Sequence, residues 1–129
     1  MLMSYTLTIK RKPTYLHAIV TGTNSRDNVA NYLQEIMREC TSQKCFRVLI
    51  EERLEGPRLG VLDVFEIASR GSKNSLGKLR AIAYVDVHAE GGLMEFAETV
   101  AMNRAMPVRV FSTVAEAEEW ILSDENFTD

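Results

Sequence analysis

Two short segments near the start of the chain alternate apolar and polar residues, a pattern typical of β-strands. Tyr5 to Lys10 alternates Tyr, Leu and Ile with Thr and Lys, and Tyr15 to Thr21 is a second run rich in strand-forming residues. Pro13 lies in the link between them, where it suits a turn, whereas it would disrupt a central strand. The pattern therefore predicts an antiparallel pair of strands.

The spacing of apolar residues then changes to that of one helix face. Apolar side chains recur at helical intervals, at Val29, Leu33, Ile36, Met37 and Cys40. The preceding segment GTNSRDN contains several residue types that commonly cap helix N-termini. We therefore expect the first helix over about Arg26 to Cys40, followed by a third strand over Arg47 to Glu51.

The segment from Phe46 to Ser69 is expected to form the centre of the fold. Its apolar run leads into a loop with Gly and Pro, RLEGPRLG, from Arg53 to Gly60. Helical spacing resumes after this loop and predicts a second helix, with its buried stripe at Val61, Val64, Phe65 and Ala68. Ligands of open α/β sheets bind at such connections from a strand to a helix.

The second half of the chain contains two more predicted strands. Leu79 to Val85 is almost continuously apolar, which predicts a fourth, central strand covered on both faces. Gly91 and Gly92 open a third helix whose inward side chains include Phe96. The short segment Val108 to Phe111 has the pattern of a fifth strand.

The end of the chain carries the clearest helix signal. Thr113 and Glu116 form a T-x-x-E capping box ahead of apolar residues, among which Trp120 is expected to anchor the core. The element order ββαβαβαβα predicts one α/β domain over residues 1–129. Its sheet would be mixed and mostly parallel, with about five strands and about four helices.

Composition and charge exclude several classes of function. The 129 residues are 46% hydrophobic and 26% charged, as in an ordered globular protein, and the net charge is -3. Basic residues are scattered among acids, so nucleic-acid binding is not expected. No window reaches the roughly 18 apolar residues of a membrane span, and no segment resembles a signal peptide, so we expect a cytoplasmic protein.

The two cysteines do not indicate a disulfide framework or a zinc site. Cys40 belongs to the apolar stripe of the first helix and is expected in the core, whereas Cys45, just before the third strand, is expected to be more accessible. Four residues separate them and no further thiol is present, which disfavours zinc. We expect both to stay reduced.

With these elements in place, the chain resembles the SpoIIAA-like family of the STAS fold. This is the fold of anti-sigma-factor antagonists, and it includes proteins likened to the lipid-binding SEC14 domain. The resemblance rests on the order of elements and on three segments, RVLIEERLEGPRLGVLDVFEIA, LRAIAYVDV and VRVFSTVAEAEEWI. It implies the SpoIIAA-like architecture over most of the chain, and it carries no catalytic signature.

The resemblance also indicates where a partner would bind. In the phosphorylatable antagonists, the loop after the third strand carries a serine at which a kinase partner docks. The corresponding loop here, Arg53 to Gly60, contains neither Ser nor Thr, so the phosphorylation mechanism is not carried over. A docking surface for a protein partner is still expected there, at Arg53, Glu55, Arg58 and Leu59.

The segment after the fourth strand contains the most suggestive polar cluster. Alternation places Asp86, His88 and Glu90 on one side of an extended segment, next to two glycines. A metal or general-base site is one interpretation, but D-x-H-x-E is common and has no second histidine nearby, so a solvated loop is favoured. His17, in the second strand, is expected to be hydrogen-bonded or half-exposed and not catalytic.

Three hypotheses for function follow. The leading one is a regulatory, non-enzymatic module that binds a protein partner through the loop described above. The second is a domain that binds a small apolar ligand or a lipid near Phe65, Asp86, His88 and Met94. The third is a small enzyme that uses His88 with Asp86 or Glu90. We expect no cofactor and no metal, and we expect a homodimer, since small domains often pair about a two-fold axis.

Overall fold

The computed structural model describes residues 4–55, 80–86 and 108–123. Within these ranges the chain forms five strands and two helices: β1 Tyr5–Arg11, β2 Leu16–Thr23, α1 Arg26–Gln43, β3 Arg47–Glu55, β4 Ala81–Asp86, β5 Val108–Phe111 and α2 Val114–Ile121. The predicted second and third helices lie outside the described residues. Neither described helix is long and apolar enough to cross a membrane.

The five strands form one sheet in which spatial order follows chain order, β1-β2-β3-β4-β5. β1 and β2 are antiparallel, which confirms the predicted opening pair. The pairings of β2 with β3, β3 with β4 and β4 with β5 are parallel. All six residues of β4 are buried, so it is covered on both faces as predicted, but the central strand is β3.

α1 covers one face of the sheet, which we call the α1 face. The Ser25 hydroxyl caps the helix by accepting a hydrogen bond from the Asn28 N–H at 3.1 Å. α1 ends at Gln43, three residues beyond the predicted end, and Lys44 follows it in the left-handed conformation at φ 53°, a common C-terminal geometry. The predicted apolar stripe of α1 packs in one buried cluster with residues of β2, β3, β4 and β5.

α2 packs on the opposite face, which we call the α2 face. The predicted capping box is present, since the Thr113 hydroxyl accepts from the Glu116 N–H at 3.3 Å. Ala117 and Ile121 are buried against the sheet, but Trp120 is only partly buried and stacks beside Phe111 at 5.9 Å. Ala117 and Ile121 therefore anchor this helix in the core, and Trp120 packs at the edge of the buried cluster.

Two sequence predictions, on the end of β3 and on Cys45, are wrong. Arg53 was expected to begin a loop, but β3 continues to Glu55 because its pairing with β2 extends to the last residue of that strand, Thr23. Cys45 was expected to be accessible, but it is 6% exposed. The left-handed turn after α1 directs the N–H of Cys45 to the Cys40 carbonyl, and the Cys45 side chain joins the core on the α1 face.

Close packing of the first two strands depends on a glycine. Gly22 has φ 125°, a conformation that residues with side chains rarely adopt. A Cβ atom at this position would lie 2.5 Å from the Ser4 carbonyl oxygen and 2.6 Å from the Tyr5 Cα. β1 can therefore approach the end of β2 only because this position lacks a side chain.

Candidate functional site

Two acidic side chains lie side by side at the carboxyl ends of parallel strands. Glu52 of β3 is the register partner of Asp86, the last residue of β4. Alternation along the strands places both on the α1 face, and the two residues are 6% and 2% exposed. The Glu52 carboxylate accepts a hydrogen bond from the Leu54 N–H. Buried carboxylates are costly unless they are hydrogen-bonded or paired, so this pair marks a candidate site among the described residues.

Two tyrosine hydroxyl groups complete what we call the acid–phenol cluster. Tyr32 of α1 and Tyr84 of β4 are buried, and their hydroxyl oxygens lie 3.3 Å apart. Burial raises the pKa of both phenols, and the negative charges of Glu52 and Asp86 raise it further. Both phenols therefore stay protonated at neutral pH, and one hydroxyl group donates a hydrogen bond to the other.

The start of α1 is fixed to the strand ends by two buried asparagines. The Asn24 N–H donates to the carbonyl of Glu55 at 2.8 Å, which joins the end of β2 to the end of β3. The Asn28 side-chain amide donates to the carbonyl of Thr23, also at 2.8 Å. Because Tyr32 lies four residues after Asn28 on the same helix face, these contacts set its position over the cluster.

A second polar group lies on the α2 face, and we call it the charged triad. His17 of β2 is within hydrogen-bonding distance of Glu51, with Nε2 3.0 Å from Oε1, and the Arg53 guanidinium donates to the other carboxylate oxygen. The side chains of His17 and Glu51 are 12% and 9% exposed, whereas that of Arg53 is 49% exposed. The hydrogen bond that we predict for His17 is confirmed, and its partner is a carboxylate.

The triad changes the acidity of Glu51. Burial raises the pKa of this carboxyl group, but its hydrogen bonds with Arg53 and His17, together with their positive charge, outweigh that effect. The pKa of Glu51 is therefore lower in the folded protein than its ordinary value. A depressed carboxyl pKa contributes stability above the unfolded pKa of about 4.3, and this stability is lost as the pH falls through the folded pKa.

Glu51→Gln is expected to lower the free energy of unfolding at pH 7 by about 1 kcal/mol, because it removes the charge that Arg53 and His17 share. The deficit should shrink as the pH falls through the lowered pKa of Glu51, because the wild-type carboxyl group then becomes neutral as well. Urea unfolding measured between neutral and acidic pH tests this. Glu55→Gln, an exposed change on the same face of β3, is the control. A constant deficit across the pH range would contradict the assignment.

The predicted partner-binding residues are only partly placed. Arg53 and Glu55 are exposed on the α2 face near the carboxyl end of β3, as strand residues and not as part of a loop. Arg53 is held by Glu51, which orients its guanidinium. Arg58 and Leu59 lie outside the described residues.

The predicted ligand-binding residues are represented by Asp86 alone, which lies in the acid–phenol cluster. Phe65, His88 and Met94 lie outside the described residues, as does Glu90. The sequence pattern does not associate Asp86 with Glu52, nor with the two tyrosines. One signal was available, since Tyr32 and Tyr84 lie within strongly apolar segments, where a buried hydroxyl group requires a polar partner.

No group of three His, Cys, Asp or Glu side chains in residues 4–55, 80–86 and 108–123 has an arrangement that could hold a metal ion. Both cysteines are free thiols. Burial, with smaller contributions from Cys45 and Glu39, raises the pKa of Cys40 to about 12. This thiol is therefore a core group and not a nucleophile, as its place in the apolar stripe predicts.

Comparison with known proteins identifies the fold. The crystal structure of an uncharacterised protein of the DUF3478 family from Shewanella loihica PV-4, which has a SpoIIAA-like fold, matches this chain with a TM-score of 0.53. The match covers 94% of this chain and 96% of that protein, at 17% sequence identity. The SpoIIAA-like fold expected from the sequence resemblance is confirmed. No protein-family model matches the sequence, and no curated protein matches it.

Proposed function

We propose that this SpoIIAA-like chain is a non-enzymatic STAS-like module that binds a protein partner at the carboxyl end of β3. The observation that carries the proposal is the exposure of two oppositely charged side chains, Arg53 and Glu55, at the end of the central strand. Partners of the antagonists that share this fold dock just after the third strand. The charges are arranged for recognition, because a fixed guanidinium and a nearby carboxylate can pair with complementary groups on a partner.

The hydrogen bonds of the charged triad further support the proposal. Glu51 bonds to both Arg53 and His17, so the triad holds its own charges in place. A residue whose rotamer is already fixed loses less entropy on binding, which favours a recognition surface. The exposed guanidinium can still form hydrogen bonds with a partner through its remaining N–H groups.

The experiment is native mass spectrometry of the tagged protein purified gently from its own cell extract. A second polypeptide should be retained by the wild type and lost, by at least about tenfold, from a variant that carries Arg53→Glu and Arg58→Glu. Arg109→Glu is the matched control, since Arg109 is an exposed arginine on the same face of the sheet, on β5. Thermal unfolding of each variant shows whether the charge reversal beside Glu51 affects folding instead.

Retention of the same polypeptide by all three proteins would contradict the proposed surface. The absence of any bound polypeptide would contradict the proposed function.

A second candidate function is the binding of a small apolar ligand that carries a polar group. The acid–phenol cluster favours it, because Asp86 and Glu52 are buried next to two protonated phenols at the carboxyl ends of the strands, where α/β sheets bind ligands. In the same spectra, a small added mass that is lost on denaturation and weakened by Asp86→Asn would favour this function. A bound polypeptide without such a mass favours the partner-binding module.

A further inference from the structure

The backbone of β1 presents a regular set of hydrogen-bonding groups at the edge of the sheet. Among the described strands, β1 has a neighbour on one side only. The Ser4 carbonyl accepts from Thr23 at 3.1 Å, and the Lys12 N–H donates to Tyr15 at 2.9 Å. Because bonded and non-bonded pairs alternate between antiparallel strands, the even-numbered residues of β1 direct their N–H and C=O groups towards β2. The odd-numbered residues direct theirs towards the open edge, and these are Tyr5, Leu7, Ile9 and Arg11.

The side chains along this edge form two different surfaces. On the α1 face, half-buried Leu7 and Ile9 line a groove of about 610 Å³ between β1 and α1, together with Glu35, Arg38, Glu39 and Ser42. On the other face, Thr6, Thr8 and Lys10 are exposed. The edge therefore has an apolar groove with both signs of charge beside it on the α1 face, and exposed polar side chains on the other face.

We propose that β1 pairs antiparallel with β1 of a second copy of this chain, about a two-fold axis through Thr8. In this register Tyr5 lies opposite Arg11 of the second copy, and Leu7 lies opposite Ile9. All four residues with outward backbone groups then find a hydrogen-bonding partner, and the two sheets become one continuous sheet. The apolar side chains of the two grooves meet across the axis, where cross-strand pairs stabilise a sheet.

Charge and proline disfavour the two registers that are displaced towards the end of β1. With the axis through Thr8, Lys10 faces Thr6 of the second copy, so no like charges are directly opposed along the strand. A shift of the axis to Ile9 would place Tyr5 opposite Pro13, which has no N–H to donate. An axis through Lys10 would place two lysines opposite each other, which destabilises strand pairing. Pro13 and Lys10 therefore disfavour these two registers, and neither opposes the register centred on Thr8.

The α1 side of the groove is compatible with the same symmetry. Glu35 and Glu39 flank Arg38 along the helix, and the Glu35 carboxylate also accepts a hydrogen bond from the Tyr5 hydroxyl at 2.9 Å. A two-fold axis orients the two copies of α1 in opposite directions, so each groove presents mixed charge and not a single sign to the second copy. Complementary charge of this kind favours one orientation of association.

A disulfide trap tests the axis directly. Thr8 and its copy would form a non-hydrogen-bonded antiparallel pair with Cα atoms about 4.5 Å apart, within the range of a disulfide. Thr8→Cys should therefore yield a covalent dimer under mild oxidation, seen on non-reducing gels. Thr6→Cys is the control, because the Cα atoms of the two Thr6 residues would lie about 14 Å apart. The native thiols do not compete, since Cys40 and Cys45 are 1% and 6% exposed.

Charge substitutions at the same two positions test the register in solution. In sedimentation equilibrium, Thr8→Glu should raise the dimer dissociation constant about fivefold, because it places two carboxylates face to face. Thr6→Glu should lower it about fivefold, because each new carboxylate would face Lys10 of the second copy. A wild-type chain that stays monomeric at every concentration overturns the proposal. So does a dimer that responds equally to both substitutions, or a disulfide that forms as readily at position 6 as at position 8.

Discussion

Gly22→Ala is expected to lower the free energy of unfolding by about 3 kcal/mol, which is a large part of the stability of a small domain. Two effects add. Alanine is strained at φ 125°, and its Cβ would lie 2.5 Å from the Ser4 carbonyl oxygen. The two closest atoms, the Ser4 carbonyl oxygen and the Tyr5 Cα, belong to the backbone. No side-chain rotation therefore relieves the contact, and β1 must move away from β2.

Urea unfolding followed by circular dichroism measures this loss. Thr21→Ala, an exposed change at the preceding position, should cost less than about 1 kcal/mol, because it removes only strand propensity. Equal effects at the two positions would show that β1 does not approach Gly22 as closely as described. A shift in the urea midpoint without a change in slope would show that the folded state loses stability without changing the extent of unfolding.

Ile36→Ala should lower the free energy of unfolding by about 3 kcal/mol, through lost burial and the cavity that remains. Ile36 is fully buried at the middle of the stripe by which α1 covers the sheet. Ile36→Val should cost about 1 kcal/mol, since it removes a single methyl group.

Gln34→Ala tests the opposite side of the same helix, because Gln34 is exposed. Its effect should stay within about 0.5 kcal/mol, since alanine favours helices and no contact is lost. Chemical denaturation of the three variants measures the series. If Gln34→Ala proved as damaging as Ile36→Ala, the assignment of the buried face of α1 would be wrong.

Periodicity predicts those elements whose local pattern agrees with their environment in the fold. The antiparallel opening pair, α1, β5 and the capping box at Thr113 each have a residue pattern that matches their final burial. The end of β3 differs, because Glu51, Arg53 and Glu55 are typical of a loop, and only pairing with β2 keeps them in a strand. Local polarity therefore ended the predicted strand four residues too early.

The candidate site was less predictable for a related reason. Asp86 could be identified from its position after an apolar run, but its neighbour Glu52 is 34 residues away along the chain, as their numbers in the sequence show. The register between two parallel strands depends on packing across the sheet, and no local spacing encodes it. Tyr32 joins the acid–phenol cluster only because α1 packs on the sheet. Such a cluster is a property of the tertiary structure.

The agreement between spatial order and chain order in the sheet has a consequence for assembly. Each strand from β2 onward lies beside its predecessor, so every addition takes place at a growing edge and none requires insertion between two paired strands. As the chain leaves the ribosome from its N-terminus, β1, β2, α1 and β3 can associate before β4 has been synthesised. The central strand of the finished sheet, β3, is therefore an exposed edge during the part of chain synthesis that precedes the pairing of β4.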